Sequence, residues 1–161
     1  YFGEYKRRNP EHSDLKLILI GGGDINIPDK IKSDVIDLGF VDIQDKYDAI
    51  GASEFLCQPS KNESFSLVIM ESWLCGRPVL VHDHCAVTKN FARESNGGLY
   101  FEDYFEFEGC TDYFLNNKET AVKMGQNGRK YVISNFDWNV ISQRYREFFE
   151  KIEKRQQDNI L

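Results

Sequence analysis

Short apolar runs separated by polar breakers set the rhythm of the first hundred residues. Leu15 to Ile20 is almost continuously apolar and is ended by Gly21-Gly22-Gly23, which predicts a buried parallel strand entering a tight turn. Val35 to Val41 predicts a second strand, and Asp42 is placed to cap a short helix through Ala49 and Ile50. Glu54 to Gln58 predicts a third strand, ended by Pro59, whose nitrogen cannot donate to a ladder. Polar Ser60, Lys61, Asn62 and Glu63 then fill a loop. Leu67 to Leu74 carries an apolar helical pattern, with Ser64 or Ser66 as its N-cap and Cys75-Gly76 as its stop. Pro78 to Val81, a helix over Ala86 to Glu94, a turn at Ser95 to Gly98 and a strand at Leu99 to Phe101 complete the alternation. Strand and helix in turn predict an α/β, Rossmann-like, mostly parallel sheet with helices on both faces. Ligands in such sheets sit at the carboxyl ends of the strands, the edge that would hold Gly21 to Gly23, Glu63 and His82.

The pattern becomes helical from Asp103 onward. Tyr104, Phe107, Tyr113, Phe114 and Leu115 belong to one packing helix, and Val122, Met124, Tyr131, Val132 and Ile133 to the next, which Gly125 and Gly128 are expected to weaken. Asp137 is an N-cap for a last helix in which Trp138, Ile141, Tyr145, Phe148, Phe149 and Ile152 recur at spacings that read as core. At the other end, Tyr1 to Arg8 reads as the end of an amphipathic helix with Lys6, Arg7 and Arg8 as a solvated basic turn, followed by a polar turn from Asn9 to Asp14. The 161 residues, 41% hydrophobic and 14% aromatic, suffice for one core. Residues 1–153 are therefore expected to form one domain and residues 154–161 a frayed polar tail.

Charge narrows the partners. A net charge of -6 argues against nucleic acid and against an anionic membrane surface. No apolar run approaches the roughly 20 residues that span a bilayer and the N-terminus has no signal-peptide pattern, so the expectation is a cytoplasmic domain without a transmembrane segment. Four cysteines, Cys57, Cys75, Cys85 and Cys110, lack C-x-x-C spacing and read as reduced thiols rather than disulfides or zinc ligands. The glycine run is not a dinucleotide fingerprint, because the third glycine position is Asn26 and Ile27-Pro28 interrupts any prompt helix. His82-Asp83-His84-Cys85 contains ligand types, and His82 and His84 would share a face if extended. With no second cluster the expectation is no metal; a ligand-edge loop and a purely structural loop both stay open.

The helix over Leu67 to Leu74 carries the sharpest chemistry. Its first turn leaves backbone N–H groups unpaired at the positive end of the macrodipole, so phosphate oxygens fit against Leu67 and Val68. Glu63 lies in the loop, and Glu71, four residues after Leu67, shares its face. A carboxylate accepts hydrogen bonds from a vicinal diol and repels a bare phosphate, so sugar hydroxyls are the natural partners of both.

Glu63, seven intervening residues and Glu71, after Pro59-Ser60 and before Gly76-Arg77-Pro78-Val79, resemble the E-x7-E signature of retaining GT-B glycosyltransferases, the group 1 or family 4 class. The resemblance runs from about Leu15 to Phe149. It implies a C-terminal domain that binds a nucleotide diphosphate sugar as donor, needs no other cofactor, and works with an N-terminal acceptor domain of the same enzyme. It assigns donor-sugar contacts to Glu63, Ser64, Phe65 and Ser66, with Glu63 as the catalytic candidate, the diphosphate to Leu67 and Val68, and the ribose to Glu71. The loop after the second strand meets the nucleobase in that family, which makes Phe40 and Val41 candidates; Phe40 as a core residue is the alternative. Gly22, His82 and His84 fall on the ligand edge. The family's final helix crosses to the other domain, which implies that some aromatics of the last helix are exposed.

Two departures stand out. Ser64 and Ser66 replace the family's usual glycines around the phenylalanine and add side chains where backbone would approach the sugar. Nothing matches the family's upstream strand and its loop, which carries an Arg and a Lys on the diphosphate, so a trimmed chain is expected; because the family's acceptor groups come from the N-terminal domain, donor binding without turnover is expected of it. Other readings are a module that has lost catalysis and another GT-B enzyme, such as a nucleotide-sugar epimerase or a phosphorylase. A response-regulator receiver is set aside, since Gln58-Pro59 stands where its phosphoacceptor would be.

Overall fold

In the computed structural model, which describes residues 1–158, the predicted strands all form and are three or four residues long: β1 (Leu17–Leu19), β2 (Val35–Asp37), β3 (Leu56–Gln58), β4 (Val79–His82) and β5 (Gly98–Phe101). The helices are α1 (Phe2–Arg8), α2 (Ile43–Ala52), α3 (Leu67–Leu74), α4 (Ala86–Ser95), α5 (Tyr104–Asn116), α6 (Lys118–Phe136) and α7 (Trp138–Asp158), with 3-10 turns at Pro10–His12 and Asp29–Asp34. All pairings are parallel, but the hydrogen bonds form two ladders: β1 with β2, and β3-β4-β5. β2 is shorter than its apolar run because Gly39 (φ 61°) turns the chain, its N–H donating to the Asp37 carboxylate at 3.1 Å.

β4 is the centre of the larger ladder, and its side chains divide by the strand period of two. Val79 and Val81 face Ile69, Met70 and Trp73 of α3, Ala92 of α4 and Val132 of α6, while Leu80 faces Tyr5 of α1, Phe101 and the α5 residues Phe107 and Phe114. Both faces are covered, as a parallel sheet requires. Trp73, fully buried, donates its indole N–H to the Gly97 carbonyl at 2.9 Å.

Three expectations are corrected and one is completed. Gly125 and Gly128 leave α6 continuous over 19 residues and let it approach α3. A Cβ at Gly125 would stand 2.0 Å from the Gly76 carbonyl oxygen, and one at Gly128 would stand 2.2 Å from the Trp73 ring. The α7 stripe is not core: Trp138 is 81% exposed, Tyr145 61% and Phe148 57%, as the crossing helix of the resembled family implied. Tyr113, Val122 and Ile133 of α5 and α6 also stay half exposed, though Phe107, Phe114 and Val132 are buried. Arg7 and Arg8 are solvated, but the Lys6 ammonium is enclosed, donating to the carbonyls of His12, Ser13 and Leu15 beside Asp34.

The caps divide similarly. Asp103 and Asp137 accept hydrogen bonds from the amides of Glu106 and Asn139 and cap α5 and α7. Asp42 stands at the N-cap of α2 without a side-chain cap bond. α7 carries residues 154–158 of the expected tail as helix; residues 159–161 lie outside the described residues.

Candidate functional site

The chain leaves β3 at Gln58, turns at Pro59 and re-enters regular structure at Leu67. Ser66 is the N-cap of α3, in a left-handed conformation (φ 67°, ψ 78°) that glycine adopts without cost, and its side chain makes no cap bond. The amides of Leu67 and Val68, in the first turn, therefore have neither an intrahelical acceptor nor a side-chain cap. Leu67 is 71% exposed, so this positive end of the helix opens to solvent.

The two carboxylates flank that end. Glu63 Oε1 accepts from Gln58 Nε2 at 3.3 Å, which ties the loop back to the end of β3. Glu71 Oε1 accepts from Lys46 Nζ at 2.7 Å, and Tyr47 Oη stands 3.5 Å from the same oxygen. The hydrogen bond to Glu71 holds the Lys46 ammonium above its ordinary pKa; burial opposes the shift and the carboxylate charge reinforces it. Lys46 is a site neighbour that the sequence does not disclose. It reads as one more charge on the solvated face of α2, and its partner is 25 positions away.

Ser64 is exposed and, with Glu63 and Lys61, forms one side of a cavity of about 470 Å³; His84, Cys85 and Val87 form the other. Phe65 turns inward instead, its ring against Phe91 and Phe136 at centroid distances of 5.4 and 5.1 Å, so only its backbone is left to face a ligand. Ser66 is buried as well, with Gln58 Nε2 3.5 Å from its hydroxyl.

β4 ends at His82, and the turn that follows brings the His82 and His84 rings to 5.0 Å rather than onto one extended face. The His84 N–H donates to His82 Nδ1 at 3.1 Å, which places the imidazole proton of His82 on Nε2. Burial, with Lys61 and the second histidine nearby, lowers the His82 pKa. His84 pairs with Glu102 at 3.0 Å, and Asp83 pairs with Lys89. Among the described residues no group of three or more His, Cys, Asp or Glu side chains is arranged to hold a metal ion. Cys85, the N-cap of α4 and the last residue of that ligand-type stretch, also lines the cavity: burial acts to raise its pKa, but Thr88 and the amides of Glu63 and Val87 outweigh it, and the thiol is held below its usual range.

The glycine turn after β1 and the loop after β2 touch one another. Gly21 donates to the Gly39 carbonyl at 2.8 Å, and the Phe40 ring lies so close on Gly22 that a Cβ there would be 2.4 Å from it. Phe40 is 88% exposed, which rules out the core alternative and leaves most of its ring open; Val41 is half-buried. α2 starts right after this loop and carries Lys46 to Glu71.

With this geometry in place the relatives are informative. The family model described as "Glycosyl transferases group 1" matches residues 4–131. A D-inositol 3-phosphate glycosyltransferase from Corynebacterium efficiens is 27% identical over 148 residues, 84% of this chain and 34% of that protein. The chain thus spans about a third of that relative's length. Among solved structures, TarM of S. aureus superposes with a TM-score of 0.76 at 18% identity, covering 92% of this chain and 32% of that one. Sucrose-phosphate synthase from Thermosynechococcus elongatus gives 0.73 at 20%, covering 94% and 42%, and Anabaena HepE in complex with UDP gives 0.72 at 20%, covering 85% and 41%. These likenesses establish the Rossmann-like α/β fold of GT-B glycosyltransferases. On the match over residues 4–131, this chain belongs to the group 1 glycosyl transferases.

Proposed function

We propose that residues 1–153 form the donor-binding domain of an enzyme that transfers a glycosyl unit from a nucleotide diphosphate sugar to an acceptor hydroxyl with retention at the anomeric carbon. The observation that carries the reading is the free-amide end of α3 flanked by Glu63 and Glu71. In this reading the Leu67 and Val68 amides receive the diphosphate, Glu71 receives ribose hydroxyls, and Glu63 holds donor-sugar hydroxyls in the cavity it shares with Ser64. Phe40, largely exposed, and Val41 meet the base; Phe65 and Ser66 contribute backbone, and Gly22, His82 and His84 border the ligand. UDP and UDP-glucose complexes of HepE, which shares the fold, support a nucleotide-sugar donor.

Catalytically, Glu63 positions the sugar and stabilises positive charge developing near the anomeric carbon, while the α3 amides stabilise the leaving diphosphate. No metal or further cofactor has a part in this scheme. An N-terminal acceptor domain of the same cytoplasmic enzyme completes the cleft, so these 161 residues bind donor without turnover.

Calorimetric titration with UDP, GDP, ADP and CMP tests the reading. The expected result is a preference for one diphosphate, weakened about ten- to a hundredfold in Glu71→Ala through loss of hydrogen bonds to a charged acceptor. Equal affinity in both proteins would remove Glu71 from the site. Ser64 and Ser66 favour a second reading, a non-catalytic nucleotide- or sugar-binding module; sugar transfer by an enzyme carrying both domains would exclude it.

A further inference from the structure

Glu71 does not meet solvent as a lone carboxylate. Its Oε1 is taken by Lys46 at 2.7 Å, with Tyr47 Oη at 3.5 Å, while no protein donor among the described residues reaches Oε2. Lys46 Nζ in turn has Glu71 as its one hydrogen-bond acceptor among them and lies 5.0 Å from the centroid of the Tyr47 ring, so two of its three N–H groups make no hydrogen bond to the protein. Both side chains are partly open, at 28% for Lys46 and 22% for Glu71. A free acceptor and free donors thus lie side by side next to the α3 amides.

We infer that Lys46 is a specificity-determining residue of the nucleotide site, and that the Lys46–Glu71 pair reads a vicinal diol as a unit. One hydroxyl donates to Glu71 Oε2, and its neighbour accepts from the Lys46 ammonium. The inference rests on the proposed placement of ribose at Glu71. It adds that discrimination for the intact diol comes from the pair and not from the carboxylate alone. A carboxylate by itself accepts from either hydroxyl and tolerates rotation of the sugar; a fixed donor beside it demands that one of the two oxygens point a lone pair at Nζ. The bland alternative is an inter-helix tie from α2 to α3, which at this exposure contributes little to stability and takes no account of the diol.

The test is titration of wild type, Lys46→Met and Lys46→Arg with UDP and its 2′-deoxy and 3′-deoxy analogues, with the GDP and ADP series in parallel. Wild type is expected to bind the ribonucleotide about tenfold more tightly than the deoxy analogue that lacks the Lys46-bonded oxygen. In Lys46→Met that ratio collapses to about one, because the ribonucleotide loses affinity and that analogue does not, and Lys46→Arg restores part of it. If Lys46→Met weakens the ribonucleotide and both analogues equally, or weakens none, the diol-reading role is wrong while the Glu71 site stands. If no nucleoside diphosphate binds folded wild type, the placement of ribose at Glu71 fails and the inference fails with it. The Arg arm separates a structural from a recognition effect, since circular dichroism and the thermal midpoint report the α2–α3 contact independently of the ratio.

Discussion

A hydrogen bond from the His84 N–H to His82 Nδ1 requires the neutral imidazole, and burial favours the same form. His82 therefore takes up its proton at a lower pH in the folded chain than in the unfolded one, where the value is near 6.5. Below that pH the unfolded state binds more protons. The stability that neutral His82 contributes is thus complete above about pH 6.5 and is lost as pH falls through the folded value. Thermal midpoints measured between about pH 7.5 and 5 should fall on the acid side, and His82→Asn, whose Oδ1 can accept the same bond, should flatten that decline. An unchanged slope in the variant would assign the decline to other groups. Ser66 is a different kind of constraint: a left-handed φ of 67° on a residue with a Cβ, at the cap of the helix that carries the site. Strain of this kind persists only where neighbours fix the backbone, and here Phe65 on one side is held among Phe91 and Phe136.

Between elements, the tightest approach is α6 on the end of α3. A methyl group at Gly125 would meet the Gly76 carbonyl at 2.0 Å, and a backbone carbonyl cannot swing away as a side chain can. Gly125→Ala should therefore cost about 3 kcal/mol, an overpacking penalty that outweighs the gain in helix propensity, and lower the thermal midpoint by roughly 6–12 °C. Gly109→Ala in α5, where a Cβ meets nothing within 4 Å, should instead be neutral or stabilising. Urea melts of the two variants would separate the effects. The contrast also marks what was legible. The bounds of α3, Leu67–Leu74, could be read from Pro59, the apolar period and Gly76, because those signals are local. The meaning of Gly125 could not, since it is set by a carbonyl from a distant turn. Lys46 escaped for the same reason: its spacing says helix face, and only the packing of α2 on α3 delivers it to Glu71.

For the molecule as a whole, the strands and their parallel sense were legible because each apolar run is bounded by glycine or proline. The break between the two ladders was not, because pairing depends on which strands stand side by side. The α7 stripe shows the same limit in reverse. Spacings of three and four specify a helix with an apolar face, yet they do not say what covers it. Phe149 stacks on Tyr145 at 6.3 Å and meets Phe148 edge-on at 5.9 Å, and all three are more than half exposed, so in this chain they contribute little core. The double variant Tyr145→Ser, Phe148→Ser should then change stability by no more than about 1 kcal/mol, a shift of about 2–4 °C in the thermal midpoint, where loss of buried aromatics would cost several times that. A large drop measured by calorimetry would mean that α7 packs onto the domain and that its aromatic face is core after all. A small one would leave that face as surface for a further part of the enzyme. In an enzyme carrying both domains, the same two substitutions should then weaken activity or inter-domain stability while leaving this domain's own midpoint in place.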